Sequence, residues 1–353
     1  MLFNVANGTV DLRSRTLVPH NRDHYLTKIS PVEFVPQAPC PRWKKFLEEI
    51  TGNNVELISY LQRAVGYTLT GKTNEHVLFL LYGSGANGKT TFLETVRTVL
   101  GDYSRASDFS TFVDGVRSPA AARNDLAALR GARFVTACES EHGQKLAESL
   151  VKQITGGDMI TARYLYGEYF EFRPQFKLWL ATNHKPTIHG VDEGIWRRVH
   201  VVPFTVRIPD AKCDRDLGDK LKMEAPGILN WALRGLEIYQ QQGLKKPKAV
   251  DLATENYRCE QDQFSGFLDS RCILTPTGRA QARPLFDAYM EWARENDVPV
   301  WTEREFAAKL AERGFRKVKR SFGNIWEGLT LTERGGTRQV PGDRISPGGV
   351  SGG

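Results

Sequence analysis

The segment from Gly83 to Thr90 has the residue types and spacing of a loop that binds phosphate. It reads GSGANGKT and fits GxxxxGK[ST], in which glycines let the backbone curl so that successive N–H groups point at phosphate oxygens. Lys89 would reach the β- and γ-phosphates of ATP, and the hydroxyl of Thr90 would bind Mg²⁺. The alternative is a Gly-rich turn that contains Lys and Thr by accident. The predicted nucleotide-binding residues are Gly83, Ser84, Gly85, Ala86, Asn87, Gly88, Lys89, Thr90 and Thr91.

A second, acidic position is required to hold the metal and to activate water. The apolar run 133–138 has the length of a buried strand and is followed by Glu139, Ser140 and Glu141. We predict that Glu139 polarises the attacking water and supports the metal. Because acids often follow strands, an ordinary surface carboxylate is the alternative.

Two further positions complete the predicted catalytic set. Asn183 follows the apolar run 176–182 and would hold the attacking water beside the γ-phosphate, unless it simply ends the strand in a turn. Arg197 and Arg198 follow Trp196, and a guanidinium near a strand end can act as an arginine finger across a subunit interface. Surface salt bridges are the alternative for both arginines.

The elements that must position these residues alternate along the central chain. Strand-sized apolar runs lie at 77–82, 133–138 and 176–182, and a helical stretch runs from 89 to 100. This alternation predicts an α/β fold with a parallel sheet covered by helices. The segment 160–172, rich in β-branched and aromatic residues, predicts a β-hairpin.

We predict an N-terminal unit over residues 1–70 and a core over 71–245. The pair Asn7-Gly8 predicts a type I′ hairpin turn in the first unit. Two helices are predicted after it, and the second, which starts at 55, should end near Gly66.

A smaller C-terminal unit is predicted over 246–335, followed by a disordered tail over 336–353 that is rich in Gly, Pro and Ser. Thr302 and Glu305 predict a capping box, and 315–331 predicts two strands about Gly323-Asn324. Helices followed by a two-stranded wing are typical of a winged helix.

The predicted wing is also basic. Aromatic residues interleave with its cations, and such a surface could contact the phosphates of duplex DNA. A solvated basic face on a packed wing is the alternative. The cations are Arg316, Lys317, Lys319 and Arg320.

Composition places the chain among ordinary globular proteins. It has 353 residues, 41% of them hydrophobic and 25% charged, with a mean hydropathy of −0.40. No apolar run is long enough for a membrane span, and no secretory signal is visible. Five scattered cysteines without a CxxC pair fit a reducing, cytoplasmic location in a bacterium or a phage-infected cell. A net charge of +7 favours an anionic partner such as nucleic acid.

These elements, in this order, resemble superfamily 3 helicases, a branch of the AAA+ ATPases. The sequence is most similar to the phage and plasmid primase–helicase family, which includes the poxvirus primase–helicase. The resemblance covers nearly the whole chain. It rests on GYTLTG (66–71), GSGANGKTT (83–91), ACESE (137–141), KQITGGDMITARYLYGEYFEF (152–172), LWLATNHKP (178–186) and GIWRRVHVVPF (194–204).

The resemblance implies a ring, usually a hexamer, that hydrolyses ATP between subunits and moves 3′ to 5′ along single-stranded DNA. Such a motor would act on forked DNA in the replication of a phage, plasmid or mobile element. The resemblance gives Lys89 and Thr90 the Walker A roles, Glu139 the Walker B role and Asn183 the sensor role. Either of the adjacent arginines would then be the finger.

The same resemblance places the motif 152–172, which starts at Lys152, as a hairpin in the central pore. The predicted tip, 166–168, lacks a lysine. Pore contact would then rest on Arg163 and on stacking by Tyr164 or Tyr166. The alternative is that these tyrosines pack the hairpin onto its own domain.

Other choices stay open at this point. The acids Glu139 and Glu141 are separated by Ser140, so either could be the catalytic base. The family often carries a primase domain upstream, so this chain is expected to be a helicase-only protein, to be a fragment, or to work with a separate primase or polymerase. Competing functions are an ATP-switched origin-binding or helicase-loading protein, and an ATPase without a nucleic-acid role.

Overall fold

The computed structural model describes residues 1–115, 123–138, 143–188, 193–298, 300–321 and 323–332. The chain divides into two compact units, Met1–Gln261 and Asp262–Gly353. The second unit therefore begins later than the predicted boundary at residue 246, because the helix Lys248–Gln261 packs on a strand of the first unit. The tail predicted over 336–353 lies outside the described residues.

The first unit begins with a three-stranded antiparallel sheet of β1 (Leu2–Val5), β2 (Gly8–Asp11) and β3 (Thr16–Val18). The predicted hairpin is confirmed, but its two connecting residues are Ala6 and Asn7, since Val5 pairs with Gly8. Neither connecting residue has a positive φ, so the turn is not of type I′.

Helices α1 (Pro41–Thr51) and α2 (Val55–Leu69) follow. The prediction that the second helix ends near Gly66 is wrong, and the reason is packing. A Cβ at Gly66 would lie 2.1 Å from the backbone nitrogen of Leu236, in the later helix Ala225–Gln242. Gly66 therefore allows two helices to touch along their backbones and does not end a helix.

The remaining strands of this unit form a parallel sheet and a separate hairpin. The parallel sheet has the order β10-β4-β9-β6-β5, which confirms the predicted α/β class, and β7 pairs antiparallel with β8. Leu81 and Cys138 both lie opposite Ala181, so the carboxyl ends of β4, β9 and β6 meet at one edge. The strands are β4 (Leu78–Tyr82), β5 (Ser104–Ala106), β6 (Phe134–Cys138), β7 (Ile160–Ala162), β8 (Phe170–Phe172), β9 (Lys177–Thr182) and β10 (Val199–Pro203).

Helices cover both faces of the parallel sheet. Along β4, Phe79 and Leu81 join a core shared with α1 and α2, whereas Leu78 and Leu80 join a second core on the other face. The first core also holds residues of β1 and β2, so residues 1–70 are not a separate unit. The other helices are α3 (Lys89–Leu100), α4 (Asn124–Ala127), α5 (Glu148–Gly156), α6 (Glu193–Trp196), α7 (Leu217–Met223), α8 (Ala225–Gln242) and α9 (Lys248–Gln261).

The described part of the second unit packs three helices and a three-stranded antiparallel sheet of order β11-β13-β12 around its own aromatic core. The capping box of Thr302 and Glu305 is confirmed at the start of α12. The predicted hairpin is confirmed, although Arg320 pairs with Gly323, so it turns before Gly323. The elements are α10 (Gln263–Arg271), β11 (Cys272–Gln281), α11 (Ala282–Glu295), α12 (Glu303–Glu312), β12 (Arg316–Arg320) and β13 (Gly323–Leu331).

The sequence analysis did not predict β11, which lies on the other side of β13 from β12. Its pairing with β13 is interrupted between Leu274 and Arg279, where Pro276 and Gly278 weaken the strand pattern. The winged-helix assignment stays a prediction. Across the described parts of both units, no helix is long and apolar enough to cross a membrane.

Candidate nucleotide-binding site

The loop between β4 and α3 is held in shape by close backbone contacts. At Gly83 a Cβ would lie 2.2 Å from both the Asn87 Nδ2 atom and the Phe204 carbonyl oxygen, so no larger residue fits. Gly88 has a φ of +83° directly before the first residue of α3, in the left-handed region that favours glycine. The loop therefore keeps its curled path to the N-terminus of α3, where backbone N–H groups can bind an anion.

Lys89 lies at the centre of this loop, with a relative exposure of 6%. Its Nζ donates to the Gly83 carbonyl oxygen at 2.6 Å, to Asn87 Oδ1 at 3.1 Å and to Asn183 Oδ1 at 2.9 Å. Burial lowers the pKa of Lys89 below its ordinary value. Two residues that were predicted separately, Lys89 and Asn183, are thus in direct contact.

Asn87 links the loop to a neighbouring strand. Its buried side chain donates from Nδ2 to the carbonyl oxygen of Phe204 at 3.0 Å, just after β10, while its Oδ1 accepts from Lys89. Phe204 in turn donates its N–H to the Tyr82 carbonyl at the end of β4. The loop lysine is therefore positioned by the ends of β4, β9 and β10 together.

A cavity of about 490 Å³ opens beside the first turn of α3. Thr90 and Thr91 line it together with Ala86, Phe46 of α1 and Leu221 of α7. The volume falls in the range of small-molecule sites. The sequence analysis did not predict that α1, α7 and the segment 208–215 would line this cavity, because no motif marks them. The charged residues in its wall are Arg42, Glu49, Glu94, Asp210, Asp214, Arg215 and Lys222.

The predicted acidic positions, Glu139 and Glu141, lie outside the described residues, as does Ser140. The last described residue of β6 is Cys138. Burial raises the pKa of its thiol, and the positive charge of Lys89 reduces that increase in part. Because Cys138 pairs with Ala181, two residues before Asn183, the end of β6 lies near the contact between Asn183 and the loop lysine. No cluster of three metal-ligating side chains occurs among the residues that the structure describes.

Arg197 and Arg198, adjacent in sequence, have different surroundings. Arg198 donates from Nε to Thr155 Oγ1 at 3.1 Å and from Nη1 to the Gly194 carbonyl oxygen. Arg197 is exposed and lines an open groove next to α9. Both lie before β10, at the amino edge of the parallel sheet, because Val199 pairs with the first residue of β4. They are therefore at the opposite edge from the loop lysine of their own subunit.

The predicted hairpin is formed by β7 and β8. Tyr166 at its tip is fully exposed, with a φ of +62°. Tyr164 instead donates its hydroxyl to the Ala127 carbonyl at 3.1 Å, and the Arg163 guanidinium lies 4.7 Å from the ring centre of Tyr169. Lys152 lies half-buried in α5. The alternative of a tyrosine packed on its own domain thus describes Tyr164 but not Tyr166.

The basic residues predicted on the wing all lie on β12. Arg316 and Arg320 lie 3.4 Å and 3.6 Å from carboxylate oxygens of Glu327 on the next strand. Lys317 points to the opposite face, with its Nζ 5.7 Å from the ring centre of Trp326, and Lys319 is exposed. The four cations are therefore divided between the two faces of the sheet.

A parallel sheet with the curled loop 83–90 ahead of α3 defines a P-loop-type α/β core. Residues 1–52 match the family model described as D5 N terminal like, and residues 81–198 match a model described as a family of unknown function, DUF5906.

Several viral proteins are similar to this chain. A candidate helicase of Acanthamoeba polyphaga mimivirus, L207/L206, is 30% identical over 270 residues, which cover 71% of this chain and 28% of that protein. A candidate helicase of Frog virus 3, 022R, is 28% identical, covering 67% of this chain and 26% of that protein. A candidate primase of African swine fever virus, C962R, is 23% identical, covering 88% of this chain and 35% of that protein. The chain spans about a quarter to a third of the length of these relatives.

An apo structure of the C-terminal region of NrS-1 shares the fold, with a TM-score of 0.54 at 11% identity over 84% of this chain and 77% of that one. A second apo form of that region gives a TM-score of 0.50 at 12% identity, over 86% of this chain and 78% of that one. These structures show the shared fold, and the family match together with the viral relatives places the chain in the D5-like primase–helicase family.

Proposed function

We propose that this chain is the motor part of a D5-like superfamily 3 helicase of the AAA+ class. It would assemble into a hexameric ring, hydrolyse ATP and translocate 3′ to 5′ on single-stranded DNA. The observation that carries the proposal is the 2.9 Å contact between Lys89 Nζ and Asn183 Oδ1. It joins the phosphate-binding loop to the strand end at which water would be activated.

In the proposed reaction, Lys89 exchanges its carbonyl and amide partners for oxygens of the β- and γ-phosphates and neutralises the charge that develops as the γ-phosphate leaves. Asn183, already beside Lys89, orients the attacking water. Glu139, or alternatively Glu141, accepts the proton of that water.

A Mg²⁺ ion is proposed at the same edge of the sheet. Thr90 lies in the first turn of α3, exposed toward the cavity, and hydroxyl and carboxylate oxygens are the donors that this hard cation prefers. Thr90 and Glu139 would hold the ion, which supplies charge neutralisation to the phosphates when bound.

The position of Arg197 supports hydrolysis between subunits. It is exposed at the sheet edge opposite its own phosphate-binding loop, so it would serve as a finger only in the site of a neighbouring copy. Arg198 is held by Thr155 and Gly194 and would position this segment.

DNA contacts are proposed on both units. The hairpin tip would stack on single-stranded bases through Tyr166. Arg163 and Lys152, which belong to the same motif, would contact the DNA backbone. The exposed cations of β12, above all Lys319, would contact duplex phosphates at a fork. Because a candidate primase is among the relatives, a primase or polymerase is a further proposed partner.

The motor function is tested by steady-state ATP hydrolysis with and without single-stranded DNA, followed by unwinding of forked DNA with a 3′ tail. We expect DNA to stimulate turnover and the fork to open only in the presence of ATP. Hydrolysis that is indifferent to DNA would overturn the motor. Tight, site-selective duplex binding without stimulated turnover would instead identify an ATP-switched loading protein.

Replacing Tyr166 with alanine is expected to weaken binding of single-stranded DNA about fivefold or more, because base–aromatic stacking contributes about 1–3 kcal/mol per base. Fluorescence anisotropy with a labelled oligothymidine measures the change. Tyr25→Ala is the matched control, since Tyr25 is also a tyrosine with positive φ and 85% exposure. Equal affinities of the two variants would show that Tyr166 does not contact the DNA.

A further inference from the structure

The hairpin β7–β8 is too small to fix the position of its own tip. It contains three residue pairs, from Ile160 with Phe172 to Ala162 with Phe170. An isolated two-stranded hairpin is marginally stable in water at best. Beyond the last pair, Leu165 and Tyr166 are exposed by 59% and 100%. Contacts with another element must therefore hold the tip in place.

The short helix α4 and the turn after it make those contacts. The Oδ1 atom of Asn124 accepts the backbone N–H of Leu165 at 2.6 Å, directly before Tyr166. The Ala127 carbonyl accepts the Tyr164 hydroxyl at 3.1 Å. We call this arrangement of Asn124 and Ala127 against 164–165 the tip clamp.

A third contact extends the tip clamp toward the base of the hairpin. The guanidinium of Arg130, in the turn after α4, lies 5.2 Å from the ring centre of Phe170 in β8. This distance is within the range of a cation–π interaction. The hairpin is thus held from its tip to its second strand by residues 124–130.

The same stretch of chain leads directly to the nucleotide site. After residues 128–133 it enters β6, whose last described residue, Cys138, pairs with Ala181, two residues before the Lys89 partner Asn183. Leu126 and Ala127 are buried in the core that also contains Val135 and Ala137 of β6. A displacement of β6 would therefore move α4 with it, because packed side chains and a short connection join them.

We propose that α4 couples the hairpin to the nucleotide site and that Asn124 is a positioning residue for the DNA-contacting tip. This inference rests on the proposed function. When nucleotide changes the position of β6, α4 carries the change to the backbone of Leu165 and so to Tyr166. Asn124 touches neither ATP nor DNA in this scheme; its carboxamide oxygen holds the tip.

Two substitutions at one position test the coupling. Asn124→Ala removes the acceptor of the Leu165 N–H, whereas Asn124→Asp keeps an oxygen at the same place. We expect the alanine variant to lose most of the DNA stimulation of ATP hydrolysis, about fivefold or more, with basal hydrolysis unchanged. The aspartate variant should retain the stimulation. Tyr164→Phe, which removes only the second hydrogen bond of the tip clamp, should show a smaller loss.

Hydrogen exchange of the Leu165 amide gives a readout that needs no DNA. In wild type, a non-hydrolysable ATP analogue should change the exchange rate of this amide, and in Asn124→Ala the amide should exchange faster and lose the nucleotide response. Wild-type DNA stimulation in Asn124→Ala, or equal losses in the alanine and aspartate variants, would overturn the coupling. If wild type itself shows no DNA stimulation, the motor proposal fails, and the exchange response alone decides whether nucleotide reaches the tip.

Discussion

Lys89→Ala is expected to lower the rate of ATP hydrolysis by at least about a hundredfold. Removal of one preorganised group that stabilises transition-state charge in a shielded site costs about 2.7–4 kcal/mol. Lys89 is such a group, since it is buried, with a relative exposure of 6%, and donates to three oxygen acceptors. Steady-state phosphate release measures the effect.

Folding is the competing explanation for such a loss, and the structure offers a control for it. Lys89→Ala leaves the Gly83 carbonyl and the amide oxygens of Asn87 and Asn183 without this donor, and Asn87 is buried, so a loss of about 1–3 kcal/mol of stability is expected. The thermal midpoint should therefore fall by a few degrees, and phosphate release is measured well below it, where the variant stays folded. Lys72→Ala, at an exposed lysine before β4, should keep full activity. If Lys89→Ala hydrolyses ATP within about twofold of the wild-type rate, Lys89 does not take part in the reaction.

The phosphate-binding loop could be predicted from the sequence because its geometry depends on neighbours in the chain. The strand before it, the glycines within it and the helix from Lys89 to Leu100 all lie in one continuous segment, and this predicted helix is confirmed to the residue. The same holds for the capping box at Thr302 and for the hairpin 160–172. Local patterns are sufficient where local contacts determine the structure.

Choices between equivalent residues could not be made from the sequence, since the deciding partner is distant. Gly66 has the pattern of a helix end until the backbone of Leu236 is placed against it. Tyr164 and Tyr166 are the same residue type, and contacts of Tyr164 with the Ala127 carbonyl and the Phe170 ring distinguish it from the fully exposed Tyr166. Strand β11 was missed for a different reason, because its own pattern is weak and its pairing with β13 supplies the order.

Arg197 and Arg198 were also equivalent in the sequence, and their contacts now separate the expected effects of their removal. Arg198→Ala loses the hydrogen bonds of a charged group to Thr155 and Gly194, at a cost of about 1.5–3 kcal/mol of stability. Its thermal midpoint should fall. Arg197→Ala removes an exposed side chain, so its thermal midpoint should stay at the wild-type value.

For ATP hydrolysis, the variant with the larger expected effect is instead Arg197→Ala. Arg197→Ala is expected to reduce ATP turnover by about a thousandfold or more, the effect of losing an arginine finger, while ATP binding persists. Loss of turnover in Arg198→Ala should follow its loss of folded protein. If Arg197→Ala hydrolyses ATP at the wild-type rate, the exposed arginine has no part in the reaction.

Mixing two inactive variants decides whether Arg197 acts in its own site or in a neighbour's. Lys89→Ala subunits lack a competent loop but present Arg197, and Arg197→Ala subunits have the loop but lack the finger. In a ring of head-to-tail interfaces, random mixing places an intact loop against an intact arginine at about a quarter of the interfaces. Activity should therefore reappear on mixing. A finger acting within one subunit predicts that the mixture stays inactive, because neither variant then contains a complete site. The position of Arg197 at the sheet edge opposite Lys89 is the reason to expect recovery.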